Sequence, residues 1–161
     1  MENKFQKMLE QASDLAEDQE YEEALLLYDK ILESDPKHIP ALLDKAATLQ
    51  RMGKNSQSFQ IYNSILKKDS NNLDALIGKG TLLHAKSKFL DAVECYDLAL
   101  KIKPRFAMAL ACMGMSLGEI GELTSALSCF KKALPIDKDY DLANLGKQKA
   151  LELLKSQKSK K

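Results

Sequence analysis

The chain has 161 residues, 45% of them hydrophobic, with 24 Lys and Arg against 23 Asp and Glu. That balance removes bulk charge as a reason to expect nucleic acid or an acidic substrate, and the length suits one domain with a sizeable core. With 7 Gly, 4 Pro and no alternating β-branched run, nothing argues for a sheet.

Residues 1–4 form a leader to the first helix, which is amphipathic and acidic (MENKFQKMLEQASDLAEDQ). It has no apolar h-region and no small-residue cleavage site, so it is not expected to be a signal peptide. The first helical hairpin breaks near Asp18-Gln19-Glu20 and closes at Asp35-Pro36. Pro40 suits the first turn of the next helix, where a missing N–H costs little. The second hairpin turns at Gly53-Lys54-Asn55, and Ser70-Asn71-Asn72 after it is a turn and cap cluster. In the third, Ala75, Leu76, Gly80 and Leu83 take helical spacing and Lys86-Ser87-Lys88 interrupts it. Phe89, Ala92, Val93, Tyr96, Ala99 and Leu100 then resume it, until Pro104 stops the helix. The fourth hairpin turns at Gly121 and should end early at Pro135, leaving a connector in which Asp137 or Asp141 caps a last, single helix. That helix, from Leu142 to about Leu154, caps the array, and the basic residues 155–161 are expected to be disordered.

Displacing the sequence by 34 residues superposes these hairpins: Leu15, Leu49, Leu83 and Leu117; Tyr28, Tyr62, Tyr96 and Phe130; Leu32, Leu66, Leu100 and Leu134. Small residues coincide at Ala12, Ala46, Gly80 and Gly114, and again at Ala24, Ser58, Ala92 and Ala126. Paired helices should cross at those two places, where only a small side chain lets backbones approach. This period and these residues resemble the tetratricopeptide repeat family over residues 5 to 140. The pattern departs from it at Met8, Leu42, Leu76 and Leu110, where a Trp is common, and at Ser58 and Ser70, which mark the second repeat as the least rigid.

The resemblance implies an all-α, right-handed α-solenoid of antiparallel hairpins: one domain over 5–154, with repeats 5–38, 39–72, 73–106 and 107–140 and a capping helix at 141–154. It also implies that the first helix of each hairpin lines a concave groove that holds a peptide. The positions carried over are Leu9, Ser13, Leu43, Ala47, Arg51, Ile77, Thr81, His84, Met108, Ala111, Met115 and Glu119. They make a largely apolar groove suited to an amphipathic helix or extended apolar peptide, with adaptable methionines at one end. Met108 and Met115 have two open placements, the groove wall or packing against the next hairpin or the final helix. A carboxylate clamp for chaperone tails needs cations and amides, yet its positions hold Leu9, Ser13, Asp44, Asp74 and Gly78.

No catalytic triad, phosphate loop or metal-ligand spacing appears, so no enzyme activity, cofactor or metal is expected. The function implied is a non-catalytic interaction scaffold in the cytoplasm, where three unpaired cysteines would stay reduced. Neither nucleic acid nor membrane is an expected partner: the groove offers Arg51, with Arg105 near a turn, against Asp44, Asp74 and Glu119, and the longest charge-free run has 13 residues. Two alternatives are a non-catalytic subunit of an enzyme complex and a scaffold that stacks copies of itself. The second draws on charge polarity, with eleven acids and three Lys in residues 1–35 against two acids and six Lys in 141–161. Solvated helix faces and a solvated tail account for the same charges.

Overall fold

The computed structural model describes residues 2–159, and among these there are helices, turns and loops but no strand. In chain order the helices are α1 (Glu2–Glu17), α2 (Tyr21–Ser34), α3 (Ile39–Arg51), α4 (Asn55–Lys68), α5 (Leu73–Ala85), α6 (Phe89–Ile102), α7 (Ala107–Ile120), α8 (Leu123–Ala133) and α9 (Asp141–Lys158). The fold is an all-α helical repeat of the solenoid class, with the hairpins α1–α2, α3–α4, α5–α6 and α7–α8 at the expected places.

The turn inside each hairpin has one recurring design. Gln19, Gly53, Ser87 and Gly121 all take positive φ, at 67°, 74°, 57° and 93°. The next N–H then reaches back to a carbonyl of the first helix: Glu20 to Leu15 and Lys54 to Leu49 at 2.8 Å, Lys88 to Leu83 and Glu122 to Leu117 at 2.9 Å. This is the Schellman closure, which satisfies a helix-end carbonyl and reverses the chain. Connectors between hairpins use Asx turns, with Asp35 accepting from the Lys37 N–H and Asp69 from the Asn71 N–H, both at 3.1 Å. The next helices are then capped: His38 Nδ1 accepts from the Ala41 N–H at 3.2 Å, and Asn72 Oδ1 from the Ala75 N–H at 3.0 Å.

The last helix differs from expectation at both ends. Neither Asp137 nor Asp141 caps it. Tyr140 holds the N-cap position without a side-chain bond, and Asp137 accepts from the Asp139 N–H at 3.2 Å instead. Asp141 is already helical, where its charge complements the helix N-terminus. The helix also continues past Leu154 to Lys158, so residues 155–158 are not a disordered tail. From Lys147 onward the sequence holds neither Gly nor Pro, and Ser159 closes the end through its N–H and Oγ, both 3.2 Å from the Lys155 carbonyl. Lys160 and Lys161 lie outside the described residues. At the other end α1 begins at Glu2, inside the expected leader, and Met1 lies outside the described residues.

The chain divides into two compact units, Met1–Gly78 and Lys79–Lys161, where the sequence pattern treats 5–154 as one domain. The first unit has a core cluster of Ala12, Ala16, Ala24 and Tyr28, and Ile31, Ala46, Ser58 and Ile65 of the same unit are also fully buried. Ser58 does not loosen its hairpin: its Oγ donates to the Ala46 carbonyl at 2.7 Å, so the hydroxyl ties the two helices at their crossing. In the second unit the crossings are closed by rings. A Cβ on Gly80 would lie 2.5 Å from the Tyr96 ring, and one on Gly114 would lie 2.7 Å from the Phe130 ring. Only a hydrogen fits there.

Candidate functional site

In the first unit, Ser13, Ala16, Glu17, Tyr28, Asp44, Ala47, Thr48 and Arg51 surround a small polar pocket of about 80 Å³. The helices α1 and α3 place these residues, and Tyr28 rises between them from α2 with its hydroxyl hydrogen-bonded to Thr48 and Ser13. Arg51 Nη1 donates to the Ala16 carbonyl at 3.3 Å, which holds the guanidinium over the rim. Burial raises the Asp44 carboxyl above the usual aspartate range, and the Asp74 charge adds to the shift. The same two carboxylates act on Tyr62, whose hydroxyl is raised first by burial. Of the other predicted groove residues here, Leu9 packs on the Ala12–Tyr28 core, Leu43 is half-buried and Ile77 is buried. Ala47 and Arg51 are exposed.

The second unit carries a different face. Thr81, His84, Tyr96, Cys112, Met115 and Leu142 line a mainly apolar pocket of about 170 Å³. His84 is not loose: its Nδ1 lies 2.8 Å from Ser116 Oγ, and its ring meets Phe89 edge-on with centroids 5.1 Å apart. Burial pushes the Cys112 thiol up to about 11, while its hydrogen bond with Tyr96 pulls the other way. Met115 is half-buried and packs against the Phe130 and Ala143 core, so it forms the pocket wall. Met108 is 44% exposed and belongs to the surface. Glu119 stands half-exposed 4.0 Å from Lys149. Ala111 is the one predicted groove residue with no surface at all. It is fully buried among Leu110, Ala126, Phe130 and Ala133, because this side of α7 faces α8.

Three wall residues, Tyr96, Cys112 and Leu142, were absent from the groove positions read from the sequence. Leu142 stands 34 residues after Met108, so the 34-residue register runs on into α9. Extending the same count from Cys112 reaches Gly146, whose Cβ would lie 2.4 Å from the Phe130 ring. Among the described residues no group of three or more His, Cys, Asp or Glu converges as a metal site, and no helix is long and apolar enough to cross a membrane.

Comparison with known proteins agrees with the geometry. A family model described as "Psidin, N-terminal TPR repeats region" matches residues 7–126, and the chain belongs to this tetratricopeptide repeat family. No curated protein matches it by sequence. Solved structures share the fold. A tetratricopeptide repeat protein from Parabacteroides merdae superposes with a TM-score of 0.76 at 20% identity over 95% of this chain. The chain spans 60% of that protein's length. A thermophilic TPR protein of Thermus thermophilus gives 0.77 at 19% identity, covering 92% of this chain and 90% of the other. The first TPR of Spaghetti, bound to the HSP90 peptide SRMEEVD, gives 0.67 at 18% identity, covering 70% of this chain and 90% of that one.

Proposed function

We propose that the chain is a non-catalytic protein-interaction scaffold that holds an apolar or amphipathic peptide or helix against its first helices. The carrying observation is the apolar pocket of Thr81, His84, Tyr96, Cys112, Met115 and Leu142, with exposed Met108 as a further apolar residue of the same face. Burying such a surface under a partner helix releases water from it, and flexible thioethers conform to the side chain they meet. The set proposed to contact the partner is Leu9, Ser13, Leu43, Ala47, Arg51, Ile77, Thr81, His84, Met108, Met115 and Glu119.

A peptide ending in acids, like the one bound by the Spaghetti domain, is not the proposed ligand. The clamp positions hold Leu9, Ser13, Asp44, Asp74 and Gly78, and the Asp44 and Asp74 charges repel a carboxylate. No cofactor, metal, nucleic acid or membrane is part of the proposal. A reducing, cytoplasmic setting suits three free thiols, two of them buried. A second reading, self-assembly, is favoured by Leu145, 67% exposed on α9.

Selection of a random displayed peptide library on the immobilised chain tests the proposal. It should enrich apolar or amphipathic sequences whose binding Met108→Glu removes without loss of helical signal. Enrichment of acidic C-termini, or indifference to Met108→Glu, would count against it. Self-assembly predicts instead a scattering mass that rises with concentration, and falls for Leu145→Lys.

A further inference from the structure

The 34-residue register places His84 and Phe89 of the third repeat and Ser116 of the fourth where Gly118, Leu123 and Ala150 stand one repeat later. The first three fill space together. The His84 ring lies edge-on to Phe89 at 5.1 Å, and its Nδ1 is 2.8 Å from Ser116 Oγ. Their successors are each smaller, and none carries a polar side chain. All three line one cavity of about 190 Å³ between α7, α8 and α9, with Met115, Phe130 and Leu153 among its other wall residues. A Cβ on Gly118 would meet nothing within 4 Å, so this part of the cavity is open.

We propose that this cavity is a binding pocket for one apolar aromatic ring, the phenyl side chain of a partner peptide. It deepens the scaffold function and rests on it for the source of the ring. Size fits: an apolar cavity of about 150 Å³ takes up benzene. Chemistry selects phenyl over imidazole, because the hydroxyl that holds His84 in the third repeat has become the methyl of Ala150. A ring here would meet the Met115 thioether, a favourable sulfur–aromatic partner. At the mouth Lys149 Nζ and Glu119 Oε1 stand 4.0 Å apart, one donor and one acceptor for the peptide backbone on either side of the ring.

The test uses the full chain with methyl-labelled methionine and N-acetyl-phenylalanine amide as probe. Millimolar probe should move the Met115 methyl resonance saturably, and N-acetyl-glycine amide should not. Gly118→Leu fills the cavity from the open side; it should melt no lower than the wild type and weaken the probe by roughly tenfold or more. The triple variant Gly118→His, Leu123→Phe and Ala150→Ser rebuilds the plug of the third repeat and should have the same effect, so the test does not hang on one substitution folding. A Met115 resonance unmoved by the probe, or moved equally in the filled variants, overturns the pocket. If the pocket fails while a selected peptide still binds in a manner sensitive to Met108→Glu, the scaffold function stands; loss of that peptide binding alone would remove the scaffold and leave the pocket.

Discussion

Gly80→Ala measures how closely the helices of the third hairpin approach. The added Cβ would lie 2.5, 2.9 and 3.1 Å from Cε1, Cζ and Cδ1 of Tyr96. That ring cannot swing aside, being 1% exposed and held at its hydroxyl by Cys112. Overpacking of this kind costs about 1–3 kcal/mol. Replacing Gly by Ala inside a helix returns about 1 kcal/mol, so the net loss is about 0–2 kcal/mol. Gly118→Ala is the matched control, since its Cβ meets nothing within 4 Å and only the helix gain remains. The two variants should therefore differ by about 1–3 kcal/mol, which for a chain of this size separates their melting temperatures by roughly 2–12 °C. Circular dichroism melts at one protein concentration decide it. Equal melting of the two variants would refute the close approach, and with it the 34-residue register of crossings.

Three further outcomes follow from particular groups. Ser87 holds φ 57° where two other repeats use Gly, and a left-handed non-glycine residue costs about 1–2 kcal/mol. Ser87→Gly should thus raise the urea midpoint, after some loss to unfolded-chain entropy, and Gly121→Ser should lower it. Asp44 has its pKa raised by folding, so its ionised form is disfavoured in the fold. Stability is unaffected where both states are protonated and falls as pH rises from the ordinary value of 3.8 through the raised one. Asp44→Asn should therefore stabilise at neutral pH, with the gain fading below that ordinary value; a constant gain at all pH would exclude the charge as its cause. The Cys112 thiol, pushed up to about 11, is protonated at neutral pH, and alkylation of the native chain should stay slow until denaturant is added.

Most of the fold was legible because one register is written four times. The small residues at the crossings, the large rings at 28, 62, 96 and 130, and the glycines of two turns all carry local physical meaning. Gln19 and Ser87 do not advertise positive φ, and the Ser87 turn showed only as a polar break, Lys86-Ser87-Lys88, in the apolar spacing. The end of α9 was misjudged because basic, polar residues resemble a solvated tail, although nothing among them breaks a helix. The proposed contact residues were less legible than the fold. A helix face reads as exposed until its neighbour is known, so Ala111 passed for surface while α8 and α9 bury it. Leu142 was overlooked because it lies on α9, beyond the fourth repeat, where no groove position was carried over. Ser58 looked like a defect, and only the Ala46 carbonyl 2.7 Å away explains it.

Calorimetric titration of wild type and Met108→Glu with a selected apolar peptide, and with the acidic peptide SRMEEVD, tests the central claim most directly. The wild type should bind the apolar peptide, Met108→Glu should lose roughly tenfold or more in affinity at unchanged melting temperature, and SRMEEVD should give no heat. Equal affinity in the two proteins, or tight binding of SRMEEVD, would contradict an apolar groove as the working surface.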